Sequence, residues 1–147
     1  MRHWWLWVLT CIVLLAVGLR TTHLIEFTDW NDEVWSLWHV RGTLSEALSR
    51  VPADWPPLFS IVTWAWLQVA GPKLEIARYM MVLLAALSTA TIYQAALAWL
   101  RLAGFARPHP AAALAALLMA GMGYAVLTGV EVRAYGLLLW LGAAALW

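Results

Sequence analysis

Apolar residues in this chain come in long unbroken runs, not in the alternating or three-and-four stripes of a soluble fold. Residues 4–19 carry no charge, and the run extends through Thr21 and Thr22 to 25. Residues 77–100 carry one charge, Arg78, at the very start. Residues 111–127 and 135–147 carry none. A membrane-crossing helix needs about 20 predominantly apolar residues. The pattern therefore predicts spans at 4–25, 77–100 and 111–127, with 135–147 opening another. A cleaved signal peptide competes for the first run, because Ala16-Val17-Gly18 offers small residues at a cleavage position. The later apolar segments favour a retained anchor.

Residues 57–70 behave differently. They are bounded by Pro56-Pro57 and Gly71-Pro72, which stop a helix growing in either direction. A helix of this length covers about 21 Å at 1.5 Å per residue, against a hydrocarbon core of about 30 Å. The segment is predicted to be an interfacial or re-entrant helix. Ahead of it, 32–40 reads as a short amphipathic helix with Trp35, Leu37, Trp38 and Val40 apolar, stopped by Arg41-Gly42. Thr43 to Glu46 forms a capping box that opens a second short helix through Ser49. Both are expected to lie flat on the membrane.

Composition strengthens this picture. Hydrophobic residues make up 64% of the chain and charged ones 12%, where a soluble domain carries about 25% charge. Mean hydropathy is +0.75. The expected class is an all-α, polytopic membrane bundle with a large external loop at 26–76. A net charge of +1, with arginines in ones and twos, gives no basic surface for nucleic acid. Cys11 is the single cysteine, so there is no internal disulfide and no Cys-x-x-Cys metal box. His23, His39 and His109 are too scattered to argue a metal site, and Gln94 suits an interhelical hydrogen bond. The twelve tryptophans suit membrane interfaces. The last apolar run reaches only thirteen residues. It predicts either the N-terminal part of a longer protein or a short protein whose last helix packs on a partner.

Arginine placement orients the chain. Arg101 and Arg107 sit between two spans with no acid nearby, so that connection and the N-terminus with Arg2 are expected to be cytoplasmic. If 57–70 does not cross, the loop 26–76 and the turn at 128–134 face the same, external side. Glu131 then shares a side with Asp32 and Glu33. If 57–70 crosses, the two are separated.

That step groups the candidate residues. Asp29, Asp32 and Glu33 are either acids at a helix start, where they favour the dipole, or a carboxylate placed at the membrane face as a general base or metal ligand. Successive helix positions point about 100° apart, so Asp32 and Glu33 are expected to divide two roles. Glu131, Arg133 and Tyr135 share a face if extended. They are either interface anchors or a phosphate contact, since the guanidinium fork matches phosphate oxygens. Arg78 either snorkels to the interface or meets the same phosphate. The turn Asp54 to Ser60 is rigid and enters the short helix with proline in its first turn.

The order of these motifs resembles a known family. An N-terminal membrane helix is followed by Asp32-Glu33, then Pro56-Pro57-Leu58-Phe59, then Glu75-Ile76-Ala77-Arg78, a long helix, a basic loop, another helix, and Glu131-Val132-Arg133-Ala134-Tyr135. This is similar to the N-terminal third of GT-C membrane glycosyltransferases, in the protein O-mannosyltransferase-like and lipid A aminoarabinose-transferase-like group. The similarity covers nearly the whole chain. It implies transfer of a sugar from a polyprenyl-phosphate carrier to a lipid, glycan or protein acceptor on the extracytoplasmic face of a bacterial inner or plasma membrane. On that resemblance Asp32 is the catalytic carboxylate and Glu33 its supporting neighbour. Glu131 matches the acid of the second external loop, and Arg133, Arg78 and Tyr135 belong to substrate binding. A divalent metal is left open. Two features depart from the pattern. Trp55 stands before Pro56 where relatives often carry a polar residue, and the later helices of the family are absent, so the isolated chain is expected to be inactive. A non-catalytic scaffold using the Trp-rich loop, or a transporter fragment, are the rival readings.

Overall fold

The computed structural model describes residues 4–22, 24, 31–53 and 55–147. Asp29, Asp54 and His23 lie outside the described residues. Those described form eight α-helices and no strand: α1 (Trp4–Thr21), α2 (Asn31–His39), α3 (Leu44–Arg50), α4 (Pro57–Ala70), α5 (Leu74–Leu102), α6 (Pro108–Gly121), α7 (Gly123–Thr128) and α8 (Tyr135–Ala145). Two of them, α1 and α5, are long and apolar enough to cross a membrane.

The 29-residue α5 is the axis of the fold, packing against α1, α6, α8 and α4. α1 buries a single stripe, Ile12, Ala16 and Arg20, spaced one helical turn apart. Its remaining surface is exposed and greasy, including Trp7 and Leu14. α6 offers a matching stripe of Ala112, Ala116 and Ala120. Small side chains let the backbones of α1, α5 and α6 approach, and Tyr93 and Leu97 of α5 fill the space between them. A second core joins Val40, Phe59, Met81, Leu84, Val132 and Leu137, tying the α2–α4 segment and the turn before α8 to the start of α5.

The single span expected at 111–127 is interrupted. α6 ends at Gly121, Met122 adopts an extended conformation (φ −62°, ψ 115°), and α7 restarts at Gly123. Two glycines around one residue weaken the helix there, and a buried cation stabilises the break. Arg20, wholly buried, donates from Nη1 to the carbonyls of Ala16 (2.9 Å) and Ala120 (3.2 Å), and from Nη2 to that of Ala125 (3.2 Å). It thereby bonds carbonyls on both sides of the interruption, and the Ala125 carbonyl also accepts from Gly129 N at 3.2 Å.

The short elements form as their sequences dictate. Thr43 Oγ1 accepts from Glu46 N, and the Glu46 carboxylate accepts from Thr43 N at 2.8 Å, which closes the capping box. Gly42 before it has φ +82°, a conformation that favours glycine. The Trp64 indole donates to Gly42 O at 3.0 Å and Arg50 donates to Arg41 O at 2.7 Å, pinning the α2–α3 connection onto α4.

Candidate functional site

Asp32 and Glu33 both fall in the first turn of α2 and point to different partners. Glu33 turns inward and is 2% exposed. Its Oε2 accepts from Arg78 Nη2 at 2.6 Å, and its Oε1 from Arg78 Nε at 3.1 Å and from the backbone N–H of Val132 at 3.0 Å. Arg78 is itself 3% exposed and also donates to Leu24 O at 3.0 Å. One carboxylate thus ties together α2, α5 and the turn before α8.

This changes the expected role of two residues. Arg78 does not face outward to meet a phosphate, because a buried guanidinium needs a counter-charge and Glu33 supplies it in the two-pronged geometry the fork favours. Glu33 in turn is enclosed, and its bonds tie α2 to α5 and to the turn before α8.

Asp32 turns the other way. Its side chain is 50% exposed and forms an ion pair with Arg133, which is 35% exposed. Arg133 Nη1 also donates to the Tyr135 hydroxyl at 3.2 Å, and its guanidinium carbon lies 5.7 Å from the Tyr135 ring centre. The turn leading to it alternates: Val130 and Val132 are buried, whereas Glu131 and Arg133 reach toward the surface. Alternation of this kind keeps Arg133 on the Asp32 side while Val132 fills the core. Glu131 sits half-buried near Glu33. Burial first, and the Glu33 charge second, push its carboxyl above the usual 4.5.

A cavity of about 210 Å³ opens beside this pair, lined by Trp55, Pro56, Phe59, Arg133, Ala134 and Tyr135. The proline turn that starts α4 therefore forms one wall and the turn that starts α8 the other. Behind Trp55 stands an aromatic group. His39 lies 5.4 Å from Trp55 and 5.3 Å from Trp38, ring centre to ring centre, and Arg50 lies over Trp38 at 5.5 Å. Among the described residues no three His, Cys, Asp or Glu side chains gather so as to hold a metal ion.

Of the sequence-predicted residues, Arg133 and Tyr135 line the cavity, Asp32 pairs with Arg133, Glu131 lies near Glu33, and Glu33 and Arg78 tie α2 to α5. Sequence reasoning missed Arg20, whose signal was an arginine just inside the end of an apolar run. It also gave Trp55 no part in the site, although Trp55 lines the cavity. Comparison with protein-family models, with curated proteins and with solved structures finds no match.

Proposed function

We propose that the chain serves a membrane glycosyltransferase activity that takes a sugar from a polyprenyl-phosphate carrier. The observation that carries this reading is the exposed Asp32 carboxylate paired with Arg133, which itself lines an aromatic-walled cavity. A carboxylate within reach of an acceptor hydroxyl can take its proton, and an arginine fork can hold the phosphate that leaves. In the reaction, the acceptor oxygen forms a bond to the anomeric carbon as the bond from that carbon to the phosphate oxygen breaks. The hydroxyl proton passes to Asp32, and the polyprenyl phosphate departs against Arg133. An arriving phosphate competes with Asp32 for Arg133, which frees the carboxylate when substrate is in place. The glycosyl-transfer reading also rests on the motif resemblance. The apolar outer surfaces of α1, α6 and α8 support the membrane setting.

The test is Asp32→Asn in the protein made in membranes, assayed for sugar transfer from a polyprenyl-phosphate-linked donor. Transfer should fall at least about a hundredfold, within the range of general-base contributions, while the protein remains folded. Unchanged transfer removes Asp32 from the chemistry. The exposed Trp35 and Trp38 favour a second reading, a binding module that docks a partner through the loop. Partner capture that survives Asp32→Asn and fails in Trp35→Ala would establish it.

A further inference from the structure

Charge is divided between the two ends of this bundle. All eight carboxylates lie at 26–75 or at 131, and the stretch 76–130 contains none. α1 and α6 run side by side, with Trp5 beside His109 at one end and Arg20 beside Ala120 at the other. Among the described residues, Glu75 lies in the first turn of α5, Glu33 reaches Arg78 one turn further on, and Glu131 lies near Glu33. Where α5 finishes and α6 begins stand Arg101, Arg107 and His109.

At that basic end a cavity of about 680 Å³ opens between α1, α5 and α6. Its polar lining is Arg101, His109, Gln94 and Tyr93, and Leu6 and Leu97 form an apolar wall beside them. Two of the polar groups, Tyr93 and His109, are held in place. The Tyr93 hydroxyl and His109 Nδ1 are 2.8 Å apart, and Trp5 stacks on the imidazole with ring centres 5.2 Å apart at 11°. Arg101 makes no ion pair among the described residues. An uncompensated guanidinium, polar side chains and an apolar wall share one opening at the end of two long apolar helices.

We infer that this cavity binds the phosphate headgroup of an anionic membrane phospholipid, with Arg101 as its charge partner, Gln94 as a hydrogen-bonding neighbour and an acyl chain along Leu6 and Leu97. Guanidinium geometry suits phosphate oxygens, and basic recesses between membrane helices are where phosphate headgroups lodge. The apolar wall selects a lipid over a free phosphate. The inference rests on the membrane setting of the chain and is independent of sugar transfer.

The experiment is a titration of the purified protein, in neutral detergent, with phosphatidylglycerol or phosphatidylcholine, followed by native mass spectrometry. The variants are Arg101→Gln, Arg101→Lys and Arg107→Gln. The wild type should retain phosphatidylglycerol over phosphatidylcholine. Arg101→Gln should weaken that binding roughly fivefold, the worth of one cation near a lipid headgroup. Arg101→Lys should keep most of it, and Arg107→Gln, which has the same net charge as Arg101→Gln but lies outside the cavity, should behave as wild type. Equal loss in Arg107→Gln would mean diffuse surface charge and overturn the site. So would equal retention of phosphatidylcholine. Displacement by inorganic phosphate at the same concentration as lipid would overturn the assignment of a lipid as the ligand.

Discussion

Glu33 and Arg78, 45 positions apart, meet in a two-pronged ion pair with almost no exposure to solvent. The pair joins α2 to α5, and a third bond to Val132 N adds the turn that carries Arg133. Removing one partner strands a buried charge, which costs roughly 3–5 kcal/mol. Glu33→Gln should therefore destabilise the protein by about that much, read as a lowered unfolding midpoint in detergent. The double replacement Glu33→Met with Arg78→Met should recover a good part of it, because two apolar groups need no counter-charge. A Glu33→Gln protein as stable as wild type would contradict the pairing.

Glu131 makes stability depend on pH in a defined direction. Its carboxyl is raised by burial and by the neighbouring Glu33 charge. The folded protein thus holds that proton more tightly than the unfolded chain does. The resulting stabilisation is fully present below about 4.5 and is lost as pH rises through the raised value. Glu131→Gln should flatten this decline and leave the protein at least as stable as wild type at pH 7. Unfolding midpoints of the two proteins compared between pH 4 and pH 7 would check it.

Gly129 sits where no side chain fits. A methyl group there would lie 2.6 Å from Ala125 O and 2.9 Å from both Ala85 Cβ and Arg20 Nε. Two of those neighbours belong to the apparatus at the α6–α7 break, so the clash is not relieved by one flexible tip. Gly129→Ala should cost about 1–3 kcal/mol. Gly18→Ala, with nothing within 4 Å of the new methyl, should be neutral or stabilising by up to about 1 kcal/mol. Thermal unfolding of the pair separates crowding from a general sensitivity to alanine.

The proposed orientation predicts which surfaces meet which solution. Single cysteines at the exposed positions Arg41 and Arg107, in a Cys11→Ser background, report on the two charged ends. A membrane-impermeant maleimide added to intact cells should label position 41 and spare position 107. Labelling of 107 alone would invert the topology and put Asp32 on the cytoplasmic side.

Local rules reached far into this structure. The helix Pro57–Ala70 begins and ends where its prolines and Gly71 place it, and the Thr43–Glu46 capping box is formed as read. Segment length and arginine placement led only to the expectation that Glu131 shares a side with Asp32 and Glu33; the contact of Asp32 with Arg133, about 100 positions away, is something the structure adds. Choice of partner was not legible. Nothing in an apolar run announces that Arg78 will take Glu33 and leave Asp32 to Arg133, because that depends on which α2 face the core claims. The interruption at Met122 was equally hidden. Its glycines were visible, but the cation that stabilises it lies 100 residues away on α1.

In the proposed membrane setting, the length of α5 carries a consequence for the bilayer. Arg78 and Arg101 are separated along it by about 34 Å at 1.5 Å per residue, slightly more than a typical hydrocarbon thickness of about 30 Å. Because Arg78 is bolted to Glu33 and cannot slide along the helix, α5 is a gauge of fixed length. A thinner bilayer would have to be met by tilting, and tilt would swing the Asp32–Arg133 cavity relative to the lipid surface. The chain should therefore be sorted toward, and most stable in, bilayers that match its own rule.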